Sequence, residues 1–301
     1  ADRYGPGART EPLSGRPVPA LTRPVDQRND HDGRAAQRGC SVWAEGHDGG
    51  PGLKIRVWPR AAYRASGPAA DESATPIGHG WTGSFESGYS PGAAVLVDSK
   101  AMAGAGLLVT AETSWKSEDL SAQQVLQVAR VATETARRAA GHAHCEGALG
   151  ERPGTVDRTE WTKRPVSRAT GTCPGVVTGR EAARLRVTDV TEKPAGRALT
   201  EQCELNRGEL DLFSMTAYYG PSAEEEMYLD GRHPGTVKGA YTRTIECGGA
   251  IGTAYFKLVR VKDKAADGAV GTHGTSDRAA LKRVLESYAT ASGTRHDCPV
   301  H

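Results

Sequence analysis

No stretch of this 301-residue chain approaches the ~20 consecutive apolar residues that a helix needs to cross a membrane. A glycine-rich phosphate loop and an HExxH zinc motif are both missing, and no pair of carboxylates is singled out by its spacing. Phe and Met occur only three times each and aromatics make up 6% of residues, so any core has to be built mainly from aliphatic side chains. The net charge is only +2, with acids and bases interspersed, and no basic stripe stands out; nucleic acid is therefore not an expected partner. None of the six cysteines falls in a CxxC pair, which argues against zinc ribbons and dithiol redox motifs. Nothing here implies a cofactor.

The cysteines that are present, Cys40, Cys145, Cys173, Cys203, Cys247 and Cys298, are even in number and widely spaced. Three disulfides and an oxidising compartment follow as the expectation, placing the protein outside the cell or at the cell surface. The chain starts at Ala1; a removed N-terminal signal or anchor, and hence a membrane tether, is part of that expectation. Heavy use of Ala, Arg, Thr, Gly and Pro resembles the output of a high-GC actinobacterial genome such as a Streptomyces.

Self-similarity organises the rest. After Cys40, "SVWAEGHDGGPGLKIRVWPRAAY" reads as a short strand, a turn and a longer strand; after Cys203, "ELNRGELDLFSMTAYYGPSAE" reads the same way. Leu53, Ile55 and Val57 alternate with Lys54 and Arg56, the period of a strand with one covered face. Each half then offers a hairpin with a Gly-containing connection, 92–115 and 239–261. Each closes with a helix. The first opens on Ser121 and Gln124, a capping box, and marks one face with Val125, Val128, Ala132, Ala136 and Ala139. The second places Leu281, Val284, Leu285 and Tyr288 at helical spacing. A lead-in precedes each core: 13–39, broken by proline, and 173–190, where Thr178 and Glu181 form another capping box over a short helix. The predicted fold is α+β: two tandem repeats, each an antiparallel sheet of about four strands covered by helices, related by a pseudo-twofold. The expected boundaries are 1–150 for the first repeat, 151–170 for a linker with Trp161 pinned to a core, and 171–301 for the second.

"GHAHCEG" (141–147) and "RHDCPVH" (295–301) end the two halves alike. On the repeat reading, Cys40 corresponds to Cys203 and Cys145 to Cys298, each pair tying a first strand to a last helix. Cys173 and Cys247, whose counterparts near Ser14 and Ser99 are not cysteine, are left to bond each other. The expected bridges are Cys40–Cys145, Cys203–Cys298 and Cys173–Cys247, one choice among fifteen.

Candidate chemistry is thin. "GYSPG" (88–92) fits the nucleophile-elbow pattern, but a strand follows it, and the residue after Ser90 is Pro91, which has no N–H for an oxyanion hole. His142, His144 and Cys145, with His296 and His301, carry metal-ligand atoms, yet a disulfide-bonded Cys145 supplies no thiolate; no metal site is expected. "RNDHDG" (28–33) lacks the ligand positions of a calcium loop, and "EEE" (224–226) reads as a solvated loop or helix start. Trp81, Phe85 and Tyr89 in "GHGWTGSFESGYSPG", with Tyr228 and Tyr241 in the matching stretch, are the candidate ligand contacts, because aromatics beside glycines line binding grooves.

"CPGVVTGREAARLRV" followed by "EQCEL" and closed by "RHDCP" resembles short actinobacterial cell-wall lipoproteins with paired cysteines. It also resembles the disulfide-bridged extracellular sensor domain of a mycobacterial serine/threonine kinase. The resemblance implies a surface or sensing role and carries over no catalytic residues. The expected function is a non-enzymatic extracytoplasmic module that binds an envelope component, a small ligand or a partner protein between the repeats. The alternative is a secreted hydrolase with a site between them.

Overall fold

The computed structural model describes residues 21–25, 38–43, 52–60, 74–87, 91–99, 106–114, 120–145, 147–158, 161–231, 240–261 and 275–300. The chain divides into two compact units, Ala1–Asp157 and Arg158–His301. The division falls inside the stretch expected as a linker.

The first unit is one antiparallel sheet and a helix. Its strands are β1 (Leu21–Val25), β2 (Arg38–Trp43), β3 (Leu53–Pro59), β4 (Thr75–Pro76), β5 (Thr82–Glu86), β6 (Gly92–Asp98) and β7 (Gly106–Thr113). They lie in the order β1-β2-β3-β7-β6-β5-β4. Helix α1 (Ala122–His142) covers one face. The alternation in β3 sends Leu53 and Ile55 toward α1, where they join Phe85, Ala93, Val95, Val97, Val109 and Ala111 from the neighbouring strands. The facing stripe of α1 is Val125, Val128, Ala129, Ala132, Ala136, Ala139 and Ala140. Alanine at so many of these positions lets the helix sit close to the sheet, which suits a chain short of large aromatics. Ser121 caps α1 with both arms of the box in place.

Among the described residues the second unit has six strands: β8 (Thr162–Pro165), β9 (Asp189–Glu192), β10 (Thr200–Arg207), β11 (Leu210–Tyr219), β12 (Ala240–Gly248) and β13 (Gly252–Arg260). Their order is β12-β13-β11-β10-β9-β8, again antiparallel throughout. Helix α2 (Gly179–Leu185) carries the Thr178/Glu181 capping box read from the sequence. Helix α3 (Pro221–Leu229) holds the "EEE" run, and α4 (Thr275–Arg295) closes the unit. Arg283 of α4 bonds Glu181 of α2 at 3.0 Å, and Arg184 bonds Asp277 at 3.2 Å. Burial opposes ionisation of Glu181, but the Thr178 bonds and Arg283 outweigh it and hold the carboxyl below its usual range. In the first unit β1-β2-β3 is followed by the run β4–β7, whose last strand docks beside β3; in the second β8-β9-β10-β11 is followed by the hairpin β12–β13, whose second strand docks beside β11; a long helix comes next in each.

Both long helices stop in the same way. The Cys145 N–H donates to the Ala140 carbonyl and the Cys298 N–H to the Gly293 carbonyl, each at 2.9 Å. The residues just before, His144 and Asp297, have φ of 52° and 56°. This is the six-to-one closure that follows a left-handed residue, and it accounts for the matching "HC" and "DC" endings. Arg186, at the C-cap of α2 with φ 58°, is a third non-glycine residue in this region. Arg186→Gly removes that strain without disturbing a contact, and is expected to raise stability by about 1 kcal/mol. Urea unfolding checks this as a higher midpoint at unchanged slope.

Several expectations are corrected. The sheets have seven and six strands, not about four. The lead-in before Cys40 contributes strand β1, not a helix; Pro24 is tolerated there because β1 is an edge strand. β5, paired with β4, lies within the glycine-rich stretch that was expected to carry ligand-contacting aromatics. Most important, the bridges are Cys173–Cys203 and Cys247–Cys298, not Cys173–Cys247 and Cys203–Cys298. The buried Glu192 carboxylate accepts from the N–H groups of Thr170 and Cys173 at 2.7 and 3.1 Å, and Glu192 is the register partner of Cys203. The 170–173 loop is thereby laid directly onto Cys203. Helix α4 runs over β11, β13 and β12, so its end meets Cys247 on the edge strand instead.

Cys40–Cys145 is also not formed, and Cys145 carries a free thiol. Register puts Cys40 in one row with Ile55, Ala111 and Ala93. The chain just after α1 lies against the other end of β6, where a side chain on Gly147 would meet Asp98. Five residues along a strand is about 17 Å and three strands across is about 14 Å, far beyond the ~7 Å limit between bridged Cα atoms.

Candidate functional site

Of the aromatics expected as ligand contacts, Trp81 and Phe85 belong to the first unit and Tyr228 and Tyr241 to the second. Trp81 and Phe85 are 2% and 0% exposed and belong to the core under α1. Trp81 donates its indole N–H to the Glu151 carbonyl at 2.7 Å, and the Arg137 guanidinium lies 5.7 Å from its ring centre. Tyr228 is exposed near the end of α3 in the other unit, and Tyr241 is half-buried on β12. Tyr89 and Ser90 lie outside the described residues. Trp161, expected to be pinned to a core, is 37% exposed, with the Lys193 ammonium 5.0 Å from its ring centre.

The densest polar constellation is one that spacing did not single out. It forms where β10 and β11 meet the end of α4. Glu201 is buried and its Oε2 accepts from Ser292 at 2.7 Å and from Arg295 at 2.5 Å. Tyr219 Oη is 2.6 Å from Ser292 Oγ. Because the one Ser292 proton goes to Glu201, Tyr219 must be the donor in that pair. Tyr288 donates to the Glu201 backbone carbonyl at 2.8 Å. His296 stacks on Tyr219 with ring centres 3.5 Å apart, its Nε2 2.8 Å from the Ala198 carbonyl and its Nδ1 3.1 Å from that of Ser292. The residues come together because Ser292 and Arg295 lie on the last turn of α4 and His296 follows directly after it. The only sequence signal was this polar run ending an otherwise apolar face.

Electrostatics fix the charges. Burial first, and the Glu201 carboxylate second, push the hydroxyls of Tyr219 and Tyr288 well above the ordinary tyrosine range, so both stay protonated donors. Burial pushes the His296 ring below its ordinary value, with Glu201 pulling the other way. Burial also works against the Arg295 charge, but Glu201 prevails and raises it.

Serine, histidine and a carboxylate in one cluster are the residue types of a hydrolase, yet their arrangement is a different one. A nucleophilic serine needs an imidazole nitrogen to take its proton. Here both His296 nitrogens face carbonyl oxygens, the Ser292 hydroxyl is bonded to a carboxylate, and Ser292 is 0% exposed. The constellation is a clamp on the chain's end, beside the Cys247–Cys298 bridge.

A second cluster joins α3 to the opposite side of the same sheet. Lys257 donates to Glu226 at 2.7 Å and to Asp230 at 2.9 Å, and Tyr255 donates to Asp230 at 2.9 Å. Burial disfavours the Lys257 charge, but the two carboxylates outweigh it and raise its pKa; burial and Asp230 raise that of Tyr255. Every group already has a partner, so the cluster reads as a fastening for α3.

Among the described residues, no group of three or more His, Cys, Asp and Glu side chains could hold a metal ion. No described helix is long and apolar enough to cross a membrane. No protein-family model, no curated protein and no solved structure matches this chain.

Proposed function

We propose that this protein is an exported, non-enzymatic module that works at the cell surface, binding or sensing an envelope component or a partner protein. The observation that carries the reading is the pair of disulfides in the second unit, Cys173–Cys203 and Cys247–Cys298. Bridges of this kind persist in oxidising compartments and are rare in the cytosol. The clamp at Glu201 supports it from the other side, since it binds serine, histidine and carboxylate into structure and leaves no free nucleophile there. The resemblance to paired-cysteine lipoproteins and kinase sensor domains points the same way. We further infer that the two units are copies of one ancestral unit, on the strength of the last strand of each sheet docking beside an earlier run of neighbours and of the common helix ending.

The test is non-reducing peptide mapping of protein taken from intact cells, with surface biotinylation in parallel. The expected result is peptides linked through Cys173–Cys203 and Cys247–Cys298, a maleimide-reactive Cys145, and biotin label without cell lysis. Fully reduced cysteines in a chain shielded from biotin would overturn the proposal.

A further inference from the structure

Four described strands lie at the edges of the two sheets, and three of them are poor templates for a further strand. β1 carries Pro24, β4 is two residues long, and β8 is four residues long, holds Lys163 and Arg164 and ends at Pro165. Proline, charge and shortness are how natural sheets block pairing at an edge. β12 is different. It runs for nine residues without proline or lysine, and its register irregularity falls at its end, between Glu246 and Gly248. The register shows which of its residues face outward. The Val261 N–H donates to the Leu212 carbonyl at 3.1 Å, directly across the β11–β13 pairing. Bonding alternates along an antiparallel pair, so Val259, Lys257 and Tyr255 bond to β11, while Leu258, Phe256 and Ala254 bond to β12. Tyr241, Arg243 and Ile245 answer them from β12. Thr244 and Glu246 therefore turn their N–H and C=O groups to the open edge, where among the described residues no backbone hydrogen bond meets them. Both residues are exposed.

We propose that β12 is a self-association edge: two copies of this chain pair β12 antiparallel across a twofold axis at Ile245, with Thr244 of each opposite Glu246 of the other. An outward residue bonds only to an outward residue, which leaves few registers. Centred on Glu246, two carboxylates would oppose each other, an unfavourable cross-strand pair. Centred on Thr244, Glu246 would face Thr242, whose hydroxyl already bonds Tyr255. Centred on Ile245, backbone bonds form through Thr244 and Glu246 alone, and each Thr244 hydroxyl comes opposite a Glu246 carboxylate. That carboxylate accepts from Thr253 Oγ1, 3.0 Å from each oxygen, and keeps lone pairs for a second donor. The occupant is a second copy because this threonine–isoleucine–glutamate run is complementary to itself when reversed, as a twofold contact requires. The side chain of Ile245 stays where it is. It is 7% exposed and turned toward α4, 3.6 Å from where a side chain on Gly293 would sit. Pairing thus joins two six-stranded sheets at their edges and leaves each core unchanged.

Sedimentation equilibrium of the full oxidised chain tests this from about 2 to about 500 µM, because an edge contact of this size belongs with weak interfaces, at a Kd of about 10–100 µM. Monomer should give way to dimer across that range, with no larger species. Thr244→Glu sets carboxylate against carboxylate twice and should weaken the dimer at least about tenfold. Adding Glu246→Thr exchanges the two partners and should restore it. Both positions are exposed, so the monomer keeps its fold. Amide hydrogen exchange gives a reading that needs no variant. The outward amides of Thr244 and Glu246 should gain about tenfold protection in the concentrated sample, while those of Arg243 and Ile245 are protected in both. A chain that stays monomeric throughout, a dimer that Thr244→Glu leaves unchanged, or a double variant that stays weak would each overturn the proposal. So would Thr244 and Glu246 amides already protected in the dilute monomer, which would mean that the chain covers this edge itself.

Discussion

Glu201→Gln should lower the unfolding free energy of the oxidised protein by about 3 kcal/mol. The carboxylate is the one acceptor on which the Ser292 hydroxyl and the Arg295 guanidinium converge, and its side chain is 1% exposed. Glutamine keeps the shape but removes the charge, and it turns one oxygen into a donor facing donors. Removing one member of a buried ion pair generally costs 3–5 kcal/mol, because the other is left without its counter-charge. The lower end applies because Arg295 is 22% exposed at the side chain and water screens part of its charge. The loss should be read from urea unfolding as a shift in midpoint. Adding Arg295→Met to Glu201→Gln should restore part of it, and the double-mutant cycle then measures the pair directly. A loss under 1 kcal/mol, or strictly additive substitutions, would mean the clamp does not hold the end of α4.

Ser99→Cys should close a third disulfide, to Cys145. In the second unit Cys247, at the end of β12, is bonded to Cys298, just past α4. In the first unit Ser99 follows β6 and Cys145 follows α1, and the chain at Gly147 lies against Asp98. Ser99 is buried and its hydroxyl has no hydrogen-bond partner, so losing the hydroxyl gives up no bond. In the chain-entropy account a ring of several dozen residues adds up to about 4 kcal/mol against unfolding, less any strain. Oxidised Ser99→Cys protein should lose the maleimide reactivity of Cys145, yield a linked peptide pair on digestion, and unfold at higher urea. Two thiols that both stay reactive after oxidation would count against the proposed common origin of the units.

The sequence could be read further for the fold than for the bridges. Periodicity and capping placed α1, α2 and α4 and the four core strands of each unit, because an apolar face and a capping box are local signals that tertiary contacts here reinforce. The aromatic contacts were less legible: a tryptophan beside glycines looks the same on a groove wall and in a core, and only burial separates them. The bridges were misread for a different reason. The expectation tied the first strand of each unit to its last helix, and that pairing is not the one formed. The second unit joins Cys203 to Cys173, and Cys298 to Cys247. On the duplicated reading the first unit keeps one cysteine of each pair, Cys40 and Cys145, where serine stands for the other. The Glu201 clamp was invisible beforehand because its members lie about ninety positions apart and meet only when α4 docks.

The two sulfur links of the second unit follow one another along the chain without nesting. A backbone cut between Gly248 and Asp297 therefore leaves its fragments covalently joined, as long as no reductant is present. A cut between Glu204 and Glu246 leaves nothing covalent between its fragments, so that half the sheet is held to the other half by packing and hydrogen bonds alone. The stretch from β10 to β12 is thus one where a single protease cut leaves two pieces of sheet with no sulfur link between them.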